Sequence, residues 1–165
     1  MKIPILHLSD GLHLYEQTIN SESLNFSGSD VYPYPLEIKA EVNKFEKNIQ
    51  CKVHLKTVAH YTCDRCLELF DSPLEFNFEL LFRSGKDKLE TDEEDVINLS
   101  TETVEVDLTE RIIENLILEI PMKVLCKDDC EGICPGCGTN LNQEACQCSE
   151  KQIDPRWEKL RDLLE

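Results

Sequence analysis

The chain has no run of about 18 apolar residues, the minimum a membrane-crossing helix needs. Residues 1–10 hold no long apolar stretch and carry an acid at Asp10, so no signal peptide is expected there. Positive charge is scarce: 17 Lys and Arg stand against 33 Asp and Glu, for a net charge of −16. Nucleic-acid phosphates are bound largely through Lys and Arg, so a general RNA-coating surface is excluded, and a basic protein partner fits the sign of the field. The signatures HExxH, GxSxG and GxxxxGK[ST] are missing. No HxE precedes a PCxxC, as a zinc deaminase would need; here Pro135 follows Cys134. These absences argue against an enzyme and against a small-molecule substrate. A soluble cytoplasmic protein is the expectation.

Cysteine, by contrast, is plentiful. Six of the nine cysteines fall between Cys126 and Cys148, in CKDDCEGICPGCGTNLNQEACQC. In a reducing compartment such clustering means metal or redox chemistry, and an odd total argues against full disulfide pairing. The CPGCG segment from Cys134 to Gly138 reads as a zinc knuckle, in which glycines let backbone N–H groups face two thiolates. With the CxC of Cys146 and Cys148 it supplies four sulfurs for one tetrahedral zinc, so the first expected metal site is Cys134, Cys137, Cys146 and Cys148. The second is Cys63 and Cys66, from TCDRC, with Cys126 and Cys130. Spacing alone leaves two alternatives open. Cys63 and Cys66 can instead join Cys134 and Cys137 in a long-range ribbon, and Cys126 or Cys130 can be a free buried thiol. One or two zinc ions are expected accordingly. A thioredoxin-like CxxC sits between a strand and a helix, whereas Cys63–Cys66 lies between two strand-like runs.

The rest of the chain reads as α+β. Two short apolar runs flank the Asp10-Gly11 turn signal, and the YPYP run ending at Pro35 sets an extended backbone. His7 and His13 read as strand or loop residues. Leu36, Ile38, Ala40 and Val42 alternate with polar residues, and Ile49, Cys51, Val53, Leu55, Thr57 and Ala59 do the same, which predicts a hairpin with Cys51 inside and His54 outside. Leu74, Phe76, Phe78 and Leu80 continue the pattern into an antiparallel β meander or partly closed sheet. Residues 83–95 read as an acidic mobile loop, and 96–99 and 103–106 as short strands. Asp107 or Thr109 can cap a helix running to about Glu119, with Leu108, Ile112, Ile113, Leu116 and Ile117 as its packed stripe and Pro121 as its stop. A last helix starts at Asp154-Pro155 and puts Trp157, Leu160, Leu163 and Leu164 on one face, to dock on its own domain or on a partner. The expected organisation is a β-rich domain over 1–125 and a zinc-binding module with the C-terminal helix over 126–165.

Glu119, Ile120 and Pro121 with Cys126 and Cys130, then GICPGCGTNLNQEACQC from Gly132 to Cys148, then DPRWEKLRDLL from Asp154, together resemble the YceD family of large ribosomal RNA subunit accumulation proteins. The resemblance spans nearly the whole chain. It implies a cytoplasmic factor needed for normal levels of large-subunit ribosomal RNA, whether through synthesis, processing or stability. Members are often encoded beside a small basic large-subunit ribosomal protein. The implied partner is a ribosomal protein or a pre-ribosomal large subunit. Direct contact with ribosomal RNA through the zinc module, with Arg65 and Arg156 as local contacts, is a competing reading. Residues 126–165 weigh against it, with five Lys and Arg to nine Asp and Glu. A zinc hydrolase or redox enzyme is the third reading. It is disfavoured because an all-cysteine site is closed, whereas catalytic zinc keeps an open position.

Overall fold

The computed structural model describes residues 1–20, 23–24, 26–85 and 96–148. The expected helix from Asp154 and most of the expected acidic loop (86–95) lie outside the described residues. The chain divides into two compact units. The first comprises Met1–Tyr61 and Phe70–Met122, and the second Thr62–Leu69 and Lys123–Glu165.

Among the described residues the first unit is mostly sheet with one α-helix. In chain order its strands are β1 (Lys2–Pro4), β2 (Gly11–Ile19), β3 (Leu36–Phe45), β4 (Asn48–Thr62), β5 (Leu69–Ser84), β6 (Val96–Leu99) and β7 (Glu105–Asp107), followed by α1 (Thr109–Leu118). The main sheet runs β2-β3-β4-β5-β6, and β1 pairs with β7 in a separate ribbon. Strands β2 to β5 are antiparallel. The β2–β3 register is Gly11↔Lys44 to Ile19↔Leu36, and the β3–β4 register is Glu37↔Lys56 to Phe45↔Asn48. For β4 and β5 the side-chain pairs Gln50–Glu79, His54–Asn77 and His60–Asp71 give the direction, since one number falls as the other rises.

Period-two alternation places the core. Leu36, Ile38, Ala40 and Val42 of β3 and Ile49, Cys51, Val53, Leu55 and Ala59 of β4 are buried almost completely. Each large apolar side chain removed from water contributes roughly 1.5–3 kcal/mol. The same rows face Ile3 and Ile5, Phe82, Val106 and Leu108 around one small apolar gap. Thr57, polar on the inner face, is satisfied by donating to the Pro35 carbonyl at 3.2 Å. The outer face carries cross-strand ion pairs, Lys39–Glu16 at 2.8 Å and Lys56–Glu75 at 3.1 Å, and a His60–Asp71 hydrogen bond at 2.7 Å. His54 lies on that face too, bonded to Asn77 and 3.2 Å from Glu75. His13, in β2, meets the Ser9 carbonyl at 2.9 Å.

Four details differ from the sequence expectation. First, β6 joins β5 in parallel, Leu81↔Val96 to Ser84↔Leu99, so the sheet is mixed rather than wholly antiparallel. A parallel return needs a long connection between the two strands. Second, β5 runs to Ser84, so Arg83 and Ser84 are strand rather than loop. Third, the last strand is Glu105–Asp107, and it pairs with β1, Lys2↔Asp107 to Pro4↔Glu105. Fourth, the helix stripe is narrower: Leu108, Ile112 and Leu116 are buried, but Ile117 is 44% exposed.

The helix ends are satisfied locally. Asp107 Oδ1 accepts the Thr109 backbone N–H at 2.9 Å, which ties down one of the unpaired donors of the first turn. That contact holds the Asp107 carboxyl below its ordinary range, through the Thr109 hydroxyl first and its N–H second. At the other end the buried Tyr32 hydroxyl donates to the Leu116 carbonyl at 2.7 Å, filling an acceptor that the helix leaves open. Among the described residues no helix is long and apolar enough to cross a membrane.

Candidate metal centre

Eight of the nine cysteines lie in the second unit, in two sets of four. Cys63, Cys66, Cys126 and Cys130 form one; Cys134, Cys137, Cys146 and Cys148 form the other, and within each set the sulfurs lie within 4.8 Å of one another. The structure does not bring Cys63 and Cys66 to Cys134 and Cys137, so the long-range ribbon is absent. Cys51 stands apart in β4, 1% exposed, its thiol pushed up to about 11 by burial.

Each set is started by the same turn. In Cys63-Asp64-Arg65-Cys66-Leu67-Glu68 the Cys63 carbonyl accepts the Leu67 N–H at 2.9 Å, and the Cys63 N–H donates to the Glu68 carbonyl at 2.9 Å. In Cys134-Pro135-Gly136-Cys137-Gly138-Thr139 the Cys134 carbonyl accepts the Gly138 N–H at 2.9 Å, and the Cys134 N–H donates to the Thr139 carbonyl at 2.8 Å. The residue after the second cysteine must turn left-handed. Gly138 does so at φ 76°, and Leu67 does so at φ 59°.

Backbone stitching brings the distant halves of the first set together. The Asp64 N–H donates to the Val124 carbonyl at 2.8 Å, and the Asp64 carboxylate takes the Val124 N–H at 2.6 Å. The Arg65 carbonyl takes the Ile133 N–H at 3.0 Å, and its guanidinium donates to the Cys130 carbonyl at 2.7 Å. Arg65, a candidate RNA contact by sequence, therefore spends a donor inside its own unit. Gly132 makes the approach feasible: at φ +79°, a Cβ there would lie 3.0 Å from the Arg65 carbonyl oxygen. The residues that sequence reasoning left out of the site are Leu67, Gly132, Thr139 and Asn142. Their signal is weak, because each acts through its backbone or through a single polar atom.

The donor chemistry fits a thiophilic divalent cation. A tetrahedron with bonds of about 2.3 Å has edges of about 3.8 Å. The Cys63–Cys130 and Cys66–Cys126 sulfurs are 3.8 and 3.7 Å apart. In the second set Cys134–Cys148 and Cys137–Cys146 are both 3.8 Å, and Cys134–Cys146 is 3.3 Å. Outer donors reach the sulfurs: Asn142 Nδ2 to Cys130 at 3.4 Å, and the Cys148 N–H to Cys146 at 3.4 Å. At Gly136 a Cβ would sit 2.8 Å from Cys148 Sγ, so the knuckle backbone lies directly against a sulfur.

The thiol acidities point the same way. Burial raises Cys63, but the backbone N–H groups of Cys66, Cys126 and Arg65 outweigh it and bring the thiol down to about 6. Cys126 is pushed up to about 12, by burial first and then by its neighbours Cys66, Cys130 and Cys63. In the second set the Thr139 hydroxyl, followed by the N–H groups of Thr139 and Gln147, brings Cys137 down to about 5. Cys137, Cys146 and Cys134 push Cys148 up to about 12. One thiolate in each set forms readily and another proton is retained, because four negative charges cannot share so small a volume uncompensated. A dication removes that conflict. Both sets could hold a metal ion.

Across residues 51–164 the chain matches the model of the family described as Large ribosomal RNA subunit accumulation protein YceD. It is 27% identical over 157 residues to the chloroplastic Large ribosomal RNA subunit accumulation protein YCED homolog 1 of Arabidopsis thaliana, covering 79% of this chain and 49% of that one. It is 38% identical over 105 residues to an uncharacterized protein of Mycobacterium tuberculosis, covering 62% of this chain and 49% of the other. The uncharacterized protein YlbN of Bacillus subtilis is 25% identical over 153 residues, covering 91% and 87%. The chain thus spans about half the length of the first two relatives. No solved structure matches. The family is named for the accumulation of large-subunit ribosomal RNA rather than for a catalysed reaction. The matched span takes in both cysteine sets and most of the sheet, and the chain belongs to the YceD family.

Proposed function

We propose that the chain is a zinc-stapled, non-catalytic factor in large-subunit ribosome biogenesis. One zinc ion would be held by Cys134, Cys137, Cys146 and Cys148, the other by Cys63, Cys66, Cys126 and Cys130. The observation that carries this reading is that, among the described residues, each set groups four thiols within 4.8 Å of one another. Four thiolates complete the zinc shell, so no position is left for a substrate or an activated water. Zinc supplies charge neutralisation and a cross-link here. The residues of the chain supply everything else: the knuckle N–H groups, Asn142 and Thr139 hold the sulfurs, and the Asp64 and Arg65 stitches hold the two chain segments.

In this reading the chain works in the cytoplasm, with a β-rich domain over 1–125 and a zinc-binding module over 126–165. It supports ribosomal RNA accumulation by binding a basic ribosomal protein or a pre-ribosomal particle. Charge supports that partner class. The described part of the second unit carries Asp64, Glu68, Asp128, Asp129, Glu131 and Glu144 against Arg65, Lys123 and Lys127. A field of that sign steers a basic surface in and turns phosphate away. The test is a crosslinked pull-down of the tagged protein from growing cells, divided between RNA sequencing and mass spectrometry. Enrichment of one basic large-subunit protein, with little crosslinked RNA and with capture falling steeply as salt rises, is expected. Crosslinks to precursor ribosomal RNA at residues near Cys134–Cys148 would overturn it.

A further inference from the structure

The two cysteine sets differ in what covers them. In the first, Cys63 is 0%, Cys130 2% and Cys66 5% exposed, and Cys126 is half-buried. In the second only Cys134 is buried, while Cys137, Cys146 and Cys148 are all exposed. Cys146 also has a second sulfur pressed against it, Cys134 Sγ at 3.3 Å, nearer than any other pair with a stated separation in either set. A sulfur that solvent reaches, with another sulfur already in contact, is where two-electron oxidation ends as a disulfide rather than as a sulfinic acid.

We propose that the Cys134–Cys137–Cys146–Cys148 set is a modification site for hydroperoxides, with Cys146 as the sulfur oxidised first and Cys134 as the one that closes the disulfide. In the first step Cys146, chosen by its exposure and its 3.3 Å contact with Cys134 rather than by acidity, attacks one peroxide oxygen in its deprotonated form. An S–O bond forms, the O–O bond breaks, and the hydroxide or alkoxide that leaves takes a proton from water. The Cys146 sulfur is then a sulfenic acid. In the second step the Cys134 thiolate attacks that sulfur; the S–S bond forms, the S–O bond breaks, and hydroxide leaves. The two sulfurs together lose two electrons and the peroxide gains them.

The consequence follows from ligand count. Once Cys134 and Cys146 are joined, Cys137 and Cys148 alone face whatever cation the set held, and it dissociates. The first set is spared because Cys63, Cys66 and Cys130 are buried and Cys126 is half-buried, and Cys51 is spared because it is buried and lies in neither set. The loss of cation rests on the zinc reading above; the disulfide itself does not.

The experiment titrates hydrogen peroxide into the full-length protein as purified. It follows metal release with a colorimetric chelator and, in parallel aliquots, maps thiols by alkylation and peptide mass spectrometry. The expected result is a Cys134–Cys146 disulfide appearing first, release of about half of the bound metal, and reversal of both by dithiothreitol. Cys63, Cys66, Cys126 and Cys130 should stay alkylatable once the protein is denatured. Equal oxidation of the two sets, a first disulfide within the Cys63 set, or sulfinic acid at Cys146 without a disulfide each overturns the proposal. Protein that carries no metal but still forms Cys134–Cys146 first sustains it while removing the zinc reading. The unmutated protein decides the matter, so a Cys146→Ser variant that fails to fold leaves the test intact.

Discussion

The turns at Cys63–Glu68 and Cys134–Thr139 share a hydrogen-bond plan, yet Leu67 occupies the position that Gly138 occupies in the other. A left-handed leucine costs roughly 1–2 kcal/mol that glycine does not incur. The costlier turn belongs to the buried set, whose halves are far apart in sequence: Cys66 and Cys126 are separated by 60 residues, Cys134 and Cys146 by 12. A clip on the longer loop removes more freedom from the unfolded chain, by about 1.4 kcal/mol for this ratio of lengths. The extra constraint is of the same size as the strain at Leu67. A knuckle's local quality thus need not match its structural weight: the better-formed turn sits in the more exposed, shorter-range set.

Stripping the metal tests the comparison most severely. Structural zinc contributes on the order of 10 kcal/mol in small modules. Hydrogen exchange after chelation should therefore show residues 62–69 and 123–148 losing protection while the β3–β4 core keeps it. Loss of protection in Val53 and Leu55 at the same chelator concentration would mean that the two units do not stand apart in stability.

Gly132→Ala acts next. It forces an L residue to φ +79° and a Cβ against the Arg65 carbonyl, at a cost of about 1–3 kcal/mol. Chelator titration should show metal leaving the buried set earlier than in the parent, with the exposed set little changed. A variant in which both sets weaken equally would show that they behave as a single cooperative centre.

Leu67→Gly is the smallest change and the only one expected to stabilise. It relieves the left-handed strain but frees the unfolded chain, for a net gain of about 0.5–1 kcal/mol. A rise of the denaturant midpoint with unchanged slope would support this account. A fall would mean that the Leu67 side chain, 63% exposed, makes a contact of greater value than the strain.

What could be read from sequence follows from where burial was one-sided. Leu36 to Ala59 alternates cleanly because one face is in the core, so β3 and β4 declare themselves. β2 does not: Leu12 and Leu14 are 63% and 68% exposed, so its apolar residues mark no inner face and its pairing to β3 is invisible in the pattern. The parallel partnership of β6 leaves no periodic trace either, since register across a crossover is set by the sheet. Ile117 fits the helical stripe and still faces outward, because α1 is covered along only the Leu108–Ile112–Leu116 line. For the metal centre, residue type and spacing narrowed the cysteines to a few pairings. The choice among them rests on the Asp64 and Arg65 backbone bonds, which depend on conformation and not on residue identity.

The span of each set also has a consequence during synthesis. Ribosomes add about 5–20 residues per second. With 60 residues between Cys66 and Cys126, the first knuckle waits about 3–12 seconds as an open pair of thiols. Cys134 and Cys148, 14 residues apart, wait about 1–3 seconds. Strands β2 to β5 are complete by Ser84, long before Cys126 is made. Closure of the second unit is thus a late event paced by translation, and for those seconds Cys63 and Cys66 stand in place before Cys126 and Cys130 have been made.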